Sequence, residues 1–74
     1  MITNYTVTNY TVTGMTCGHC VAHVTEEVKA IPGVTDVKVS LEDGSMVVTS
    51  DALIDFELIE AAVSEAGNYQ VAAA

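Results

Sequence analysis

The spacing of apolar side chains in this chain of 74 residues alternates between strand and helix periods, which leaves few ways to fold. Tyr10 and Val12 alternate with threonines, as a half-buried strand requires. Val21, Val24, Val28 and Ile31 recur at steps of three, four and three, placing them on one face of a helix from about Gly18 to Ala30. His23, Glu26, Glu27 and Lys29 fall outside that stripe, and Pro32-Gly33 stops the helix. Val37, Val39 and Leu41 alternate with Lys38, Ser40 and Glu42, the pattern of a half-buried strand. Asp43-Gly44 is a hairpin turn, and the return strand runs from Ser45 to Ser50 with Met46 and Val48 inward. A second helix is predicted from about Phe56 to Ala66, with Asp55 as its cap and Ile54 packing on Ile59 as a hydrophobic staple. Phe56, Ile59, Val63 and Ala66 form its apolar stripe, Gly67 ends it, and Tyr69 to Val71 form a last short strand.

The order strand, helix, strand, strand, helix, strand closes naturally as an α+β fold. It is a ferredoxin-like βαββαβ sandwich, a four-stranded antiparallel sheet with two helices on one face. A chain this short buries only about 60% of the surface its unfolded form exposes, so residues 1–74 are read as one domain with an economical core. At the start, Thr3-Asn4-Tyr5-Thr6-Val7 is repeated as Thr8-Asn9-Tyr10-Thr11-Val12. The repeat spacing is five, an odd number, so in one continuous strand Tyr5 and Val7 point away from the face used by Tyr10 and Val12. The second copy, which leads into the cysteines, is expected to form the first strand, and residues 1–7 to be an extension or frayed tail.

Charge narrows the function. Ten acidic residues against Lys29 and Lys38 give a formal charge of -8, which argues against nucleic acid and against anionic membrane surfaces. Acidity keeps a small domain in solution, and it can also steer the chain toward a partner with a basic patch. No apolar run approaches the roughly 20 residues of a membrane span, and the first residues lack a secretory pattern, so a cytoplasmic location is expected.

Both cysteines lie in Met15-Thr16-Cys17-Gly18-His19-Cys20, at the junction of the first strand and the first helix. In a reducing compartment such a pair serves as ligands or redox groups more readily than as a staple. Three chemistries fit. Structural zinc wants four ligands, and only His19 and His23 are at hand to supplement the cysteines. Thiol-disulfide exchange uses the same Cys-Gly-His-Cys tetrapeptide, as in protein disulfide isomerases. Against it, Thr16 stands where that resemblance wants an aromatic residue. The chain is also short for a thioredoxin-type fold, and Pro32 cannot supply that family's later cis-proline. Capture of a soft ion such as Cu(I), content with two or three sulfur ligands, requires nothing more than the pair itself.

Gly14-Met15-Thr16-Cys17-Gly18-His19-Cys20-Val21, followed by a helix, Pro32-Gly33-Val34 and Asp43-Gly44, resembles the heavy-metal-associated domain family. The similarity runs from about Tyr10 to Val71, and it is closest to bacterial cytosolic copper chaperones and the N-terminal metal-binding domains of copper-transporting P-type ATPases. The resemblance implies the same βαββαβ fold, with Cys17 and Cys20 as metal ligands and Cu(I) as the cargo. It implies that Met15 packs beneath the loop and does not ligate, the alternative being a thioether ligand, which soft-metal chemistry allows. Tyr69 resembles a tyrosine that bacterial members place near the metal after the second helix. Those members read Gly-Tyr where this chain reads Gly67-Asn68-Tyr69, and the plain alternative is an aromatic packing on the last strand. His19 is expected in solvent. His23, one turn beyond Cys20, is a candidate third ligand if two molecules share copper in a bridged homodimer, and otherwise a solvated helix residue. The implied role is a carrier, not an enzyme: the chain hands Cu(I) to a partner such as a copper-transporting P-type ATPase or its metal-binding domain, through a basic patch on that partner. Zinc- and mercury-binding relatives share the motif.

Overall fold

Six elements form in the predicted order in a computed structural model, which describes residues 5–16 and 18–74. They are β1 (Thr6–Thr13), α1 (Gly18–Lys29), β2 (Val34–Val39), β3 (Ser45–Ser50), α2 (Phe56–Ala66) and β4 (Gln70–Ala73). The strands make one antiparallel sheet in the order β2-β3-β1-β4, so the two longest-range pairings meet at β1. Tyr10, Val12, Val37, Met46 and Val48 point to one face, where they are buried with Val24 and Val28 of α1 and Ile59, Ala62 and Val63 of α2. Both helices therefore cover the same side of the sheet, as the ferredoxin-like reading requires.

Several local expectations are corrected. The tail expected through residue 7 ends sooner: Thr6 and Val7 already pair with Ser50 and Thr49 of β3, and the part of that expectation on residues 1–4 lies outside the described residues. Backbone pairing does not care which face a side chain takes, so the strand runs on while the parity rule turns Val7 out, 60% exposed, and Tyr10 in. Leu41 is not a strand residue. The hairpin closes at Ser40, whose N–H donates to the Ser45 carbonyl at 2.8 Å, leaving Leu41 exposed in a four-residue loop. A two-residue Asp-Gly turn would have carried β2 on through Glu42; the Asp43 carboxylate instead accepts the Ser45 N–H at 3.0 Å and widens the loop.

Asp55 occupies the N-cap position of α2 but makes no side-chain cap bond. Its carbonyl accepts from Leu58 and Ile59, while Ile54 packs on the core that holds Ile59. Phe56, expected inward, lies at the margin of the stripe with its ring centroid 6.1 Å from that of Tyr10, and Ala62 takes the buried place. Ser50 is buried without an apolar side chain because its hydroxyl donates to the Ala52 carbonyl at 2.6 Å. Finally, β4 starts at Gln70 and not at Tyr69, whose N–H donates to the Gly67 carbonyl at 2.9 Å in a tight turn.

Candidate functional site

The cysteine motif leaves the sheet where β1 ends at Thr13 and enters α1 at Gly18. Gly14 begins this connection with φ +101°, a left-handed conformation that L side chains rarely adopt. Space is tight there as well: a Cβ on Gly14 would lie 3.1 Å from the Asn68 carbonyl oxygen and 3.3 Å from Tyr69 Cδ1, so a neighbour would have to shift by a few tenths of an ångström. The start of the motif is thus laid directly against the turn that follows α2. Met15 is half-buried and packs on the core, which anchors the loop from below. Thr16 is exposed, and its Oγ1 lies 3.8 Å from Cys20 Sγ, within hydrogen-bonding reach of a sulfur.

Cys17 lies outside the described residues. Cys20 is half-buried in the first turn of α1, where unpaired backbone N–H groups and the helix dipole favour negative charge. His19 is exposed beside it. His23 is exposed on the next turn, at the edge of a groove of about 250 Å³ shared with Glu26, Glu27, Glu65 and Ala66. Among the described residues, no three His, Cys, Asp or Glu side chains group closely enough to hold an ion together.

Tyr69 is brought against Gly14, where the motif begins. The Tyr69 ring fills the space over Gly67, where a Cβ would lie 2.8 Å from Cε2, and its other edge meets Gly14. Gly67 is extended, with φ 160°, so its need for glycine is one of room and not of backbone conformation. Tyr69 also packs on the core and lines a groove of about 560 Å³ with Glu60, Ala61, Ser64, Gln70 and Val71. The sequence reading missed three supports: Gly14 as a socket, Gly67 as its counterpart, and the hydroxyl of Thr16. Glycines at both ends of an aromatic contact were visible in the sequence, but their juxtaposition depends on β1 and β4 being neighbours.

All ten acidic residues are exposed, and among the described residues no helix is long and apolar enough to cross a membrane. Comparison with known proteins agrees with this architecture. The chain is 41% identical over 54 residues to Copper-transporting ATPase 1 of Rhizobium meliloti (strain 1021), covering 73% of this chain and 6% of that protein. It is 37% identical over 54 residues to the mercuric reductase of Shewanella putrefaciens, covering 73% of this chain and 10% of the enzyme. The chain thus spans a tenth or less of the length of either protein. A solved structure of a CopZ metallochaperone superposes with a TM-score of 0.81 at 31% identity, covering 90% of this chain and 100% of that one. The family model of the heavy-metal-associated domain matches residues 9–69, nearly the whole fold from β1 to Tyr69, and the chain belongs to that family.

Proposed function

We propose that this chain is a Cu(I) carrier in which Cys17 and Cys20 take the ion as a thiolate pair and release it to a second protein. The observation that carries the reading is the placement of Cys20, half-buried in the first turn of α1 and separated by two residues from the only other cysteine in the sequence. Two thiolates satisfy Cu(I) and leave it open to a third sulfur, which a carrier needs for release. The copper-named ATPase and the CopZ metallochaperone favour copper as the cargo. No bond in an organic substrate is made or broken, so the chain acts as a carrier and not as a catalyst.

Within this reading, Met15 is packing and Tyr69 is a prop, in keeping with their contacts to the core. His19 and His23 are bystanders in the monomer. His23 is the side chain to watch if two copies share one ion, because it lies one turn from Cys20 on an exposed face. The receiving partner carries a cysteine pair of its own and a basic surface, attracted by ten exposed carboxylates against two lysines. A metal-binding domain of a copper-transporting ATPase fits that description, and both proteins would meet in the cytoplasm.

The resemblance to a mercuric reductase supports Hg(II) as a second cargo, since two thiolates suit that ion too. Competition against a Cu(I) chelator, run beside Zn(II) and Hg(II) and repeated with both cysteines changed to Ser, separates these readings. Tight Cu(I) binding that disappears in the double variant is expected. Tight zinc binding with weak Cu(I) binding overturns the copper assignment, and preference for Hg(II) replaces it with the second reading.

A further inference from the structure

We infer that the outer edge of β4 is a docking site for an extended, basic peptide segment of another protein, which joins the sheet as a fifth strand. The site lies apart from the cysteines and does not depend on the cargo they hold. In the sheet formed by the described residues, β2 and β4 are the two edges. The Ala74 N–H donates to the Asn9 carbonyl at 3.1 Å, and the register sets Gln70 and Ala72 opposite Thr13 and Thr11. Antiparallel bonding alternates along a strand, so Gln70 and Ala72 turn their backbone groups to β1, while Val71 and Ala73 turn theirs outward.

The two edges are not equivalent. β2 carries the exposed charges Asp36 and Lys38 and a register shift between Val34 and Asp36, both devices that keep foreign strands off an edge. β4 reads Gln70-Val71-Ala72-Ala73, with neither charge nor proline, and its pairing with β1 is unbroken. Beside this edge lies the groove of about 560 Å³, walled on the helix side by Glu60, Ala61 and Ser64 of α2. Residues directly opposite one another in paired strands share a face, so side chains set against Val71 and Ala73 would enter that groove. Glu60 is exposed there, and Glu57 stands one turn earlier on α2, which favours Lys or Arg on those side chains. A second copy is a poorer occupant. Pairing β4 with β4 sets α2 beside α2 and brings two Glu60 carboxylates together, between chains of formal charge -8.

The test uses the metal-free wild-type chain, titrated with a capped eight-residue peptide of alternating Val and Lys and followed by its backbone amide resonances in NMR. Saturable shifts are expected at Val71, Ala73 and the α2 residues around Glu60, with slowed hydrogen exchange of the Val71 and Ala73 amides. A peptide of alternating Val and Glu should not bind. Ala73→Pro removes one outward N–H and leaves the ladder to β1 intact, because that ladder uses the neighbouring residues. Affinity should fall about fivefold, the scale of one hydrogen bond. Glu60→Gln, at an exposed position, should lower affinity roughly threefold and weaken its dependence on salt. Shifts confined to β2, equal binding of the Glu peptide, or no binding of the Lys peptide at millimolar concentration overturn the inference. Unchanged affinity in both variants does so too, and if Ala73→Pro does not fold, Glu60→Gln alone decides. Shifts at β4 that grow with protein concentration in the absence of peptide identify a second copy as the occupant, and they overturn it as well.

Discussion

Two connections of this fold, the hairpin loop Leu41–Gly44 and the motif loop that begins at Gly14, are held by opposite means. The hairpin is almost self-contained. Asp43 accepts the Ser45 N–H, Ser40 and Ser45 close the loop, and one further bond, from the Val12 N–H to the Gly44 carbonyl at 2.7 Å, sews it to β1. The motif loop is held largely from elsewhere: Met15 by the core, Gly14 by Asn68 and Tyr69, Thr16 by Cys20. These supports fix the base of the motif loop from the core and from the turn after α2. The hairpin is locked by its own hydrogen bonds and by the one bond to β1.

The largest effect is expected where the hairpin meets β1. Gly44 has φ +71°, and a Cβ there would lie 2.7 Å from the Val12 carbonyl oxygen, a backbone atom that cannot swing aside. Gly44→Ala should therefore cost about 3 kcal/mol, adding backbone strain to overpacking. Urea denaturation measures the loss. If the loop is as separate from the site as its bonds imply, Cu(I) affinity of the folded variant stays near that of the wild type. A parallel fall in affinity would show that the two connections are mechanically joined through Val12.

Gly14→Ala should cost less, about 2 kcal/mol, because one of its two obstacles is the edge of a half-buried ring. Its effect on the site should be the larger of the two. Shifting the base of the motif moves Thr16 relative to Cys20, so a loss of Cu(I) affinity should accompany the loss of stability. Unchanged affinity would mean that the loop tolerates a displaced base, and the contrast with the hairpin would collapse.

Tyr69 can be tested against its two sockets by a double-mutant cycle. Gly67→Ala places a methyl group 2.8 Å from the ring and should destabilise by about 2 kcal/mol through overpacking. In a Tyr69→Leu background, where no ring occupies that space, the same change should cost much less. A coupling of about 1 kcal/mol or more is expected for residues in direct contact. Additive effects would show that the ring is free to move and props nothing.

These contrasts also explain what the sequence revealed. The periodic elements were legible because the apolar residues that define their period are the ones buried: Val24 and Val28, Met46 and Val48, Ile59 and Val63. The motif was legible as chemistry, since two cysteines at that spacing serve few purposes. Features that failed to show were decided by single hydrogen bonds or by distant packing. Leu41 left the strand because Asp43 found the Ser45 N–H. At the start of α2 the Asp55 carboxylate makes no cap bond, and its carbonyl takes the Leu58 and Ile59 N–H groups. The position of Tyr69 depended on a glycine 55 residues earlier in the chain, reached only through the β1–β4 pairing. Spacing along the chain carries no record of that contact.

The smallest effect belongs to the hairpin and concerns pH. The Ser45 N–H, followed by the hydroxyls of Ser45 and Ser40, holds the Asp43 carboxyl below the usual aspartate range. A carboxyl whose pKa is lower folded than unfolded binds its proton less readily in the native state. Its contribution to stability is therefore complete above the ordinary aspartate value and is lost as pH falls through the lowered one. The group is fully exposed, so screening keeps the contribution slight. Asp43→Asn preserves an acceptor for the Ser45 N–H and removes the titration. Between neutral pH and strong acid, the wild-type unfolding midpoint should fall slightly more than that of the variant, as read from thermal unfolding by circular dichroism. Parallel curves would mean that the Asp43 carboxylate accepts these bonds no better than a neutral amide, and that the hairpin owes its closure to the backbone bonds between Ser40 and Ser45 and between Val12 and Gly44.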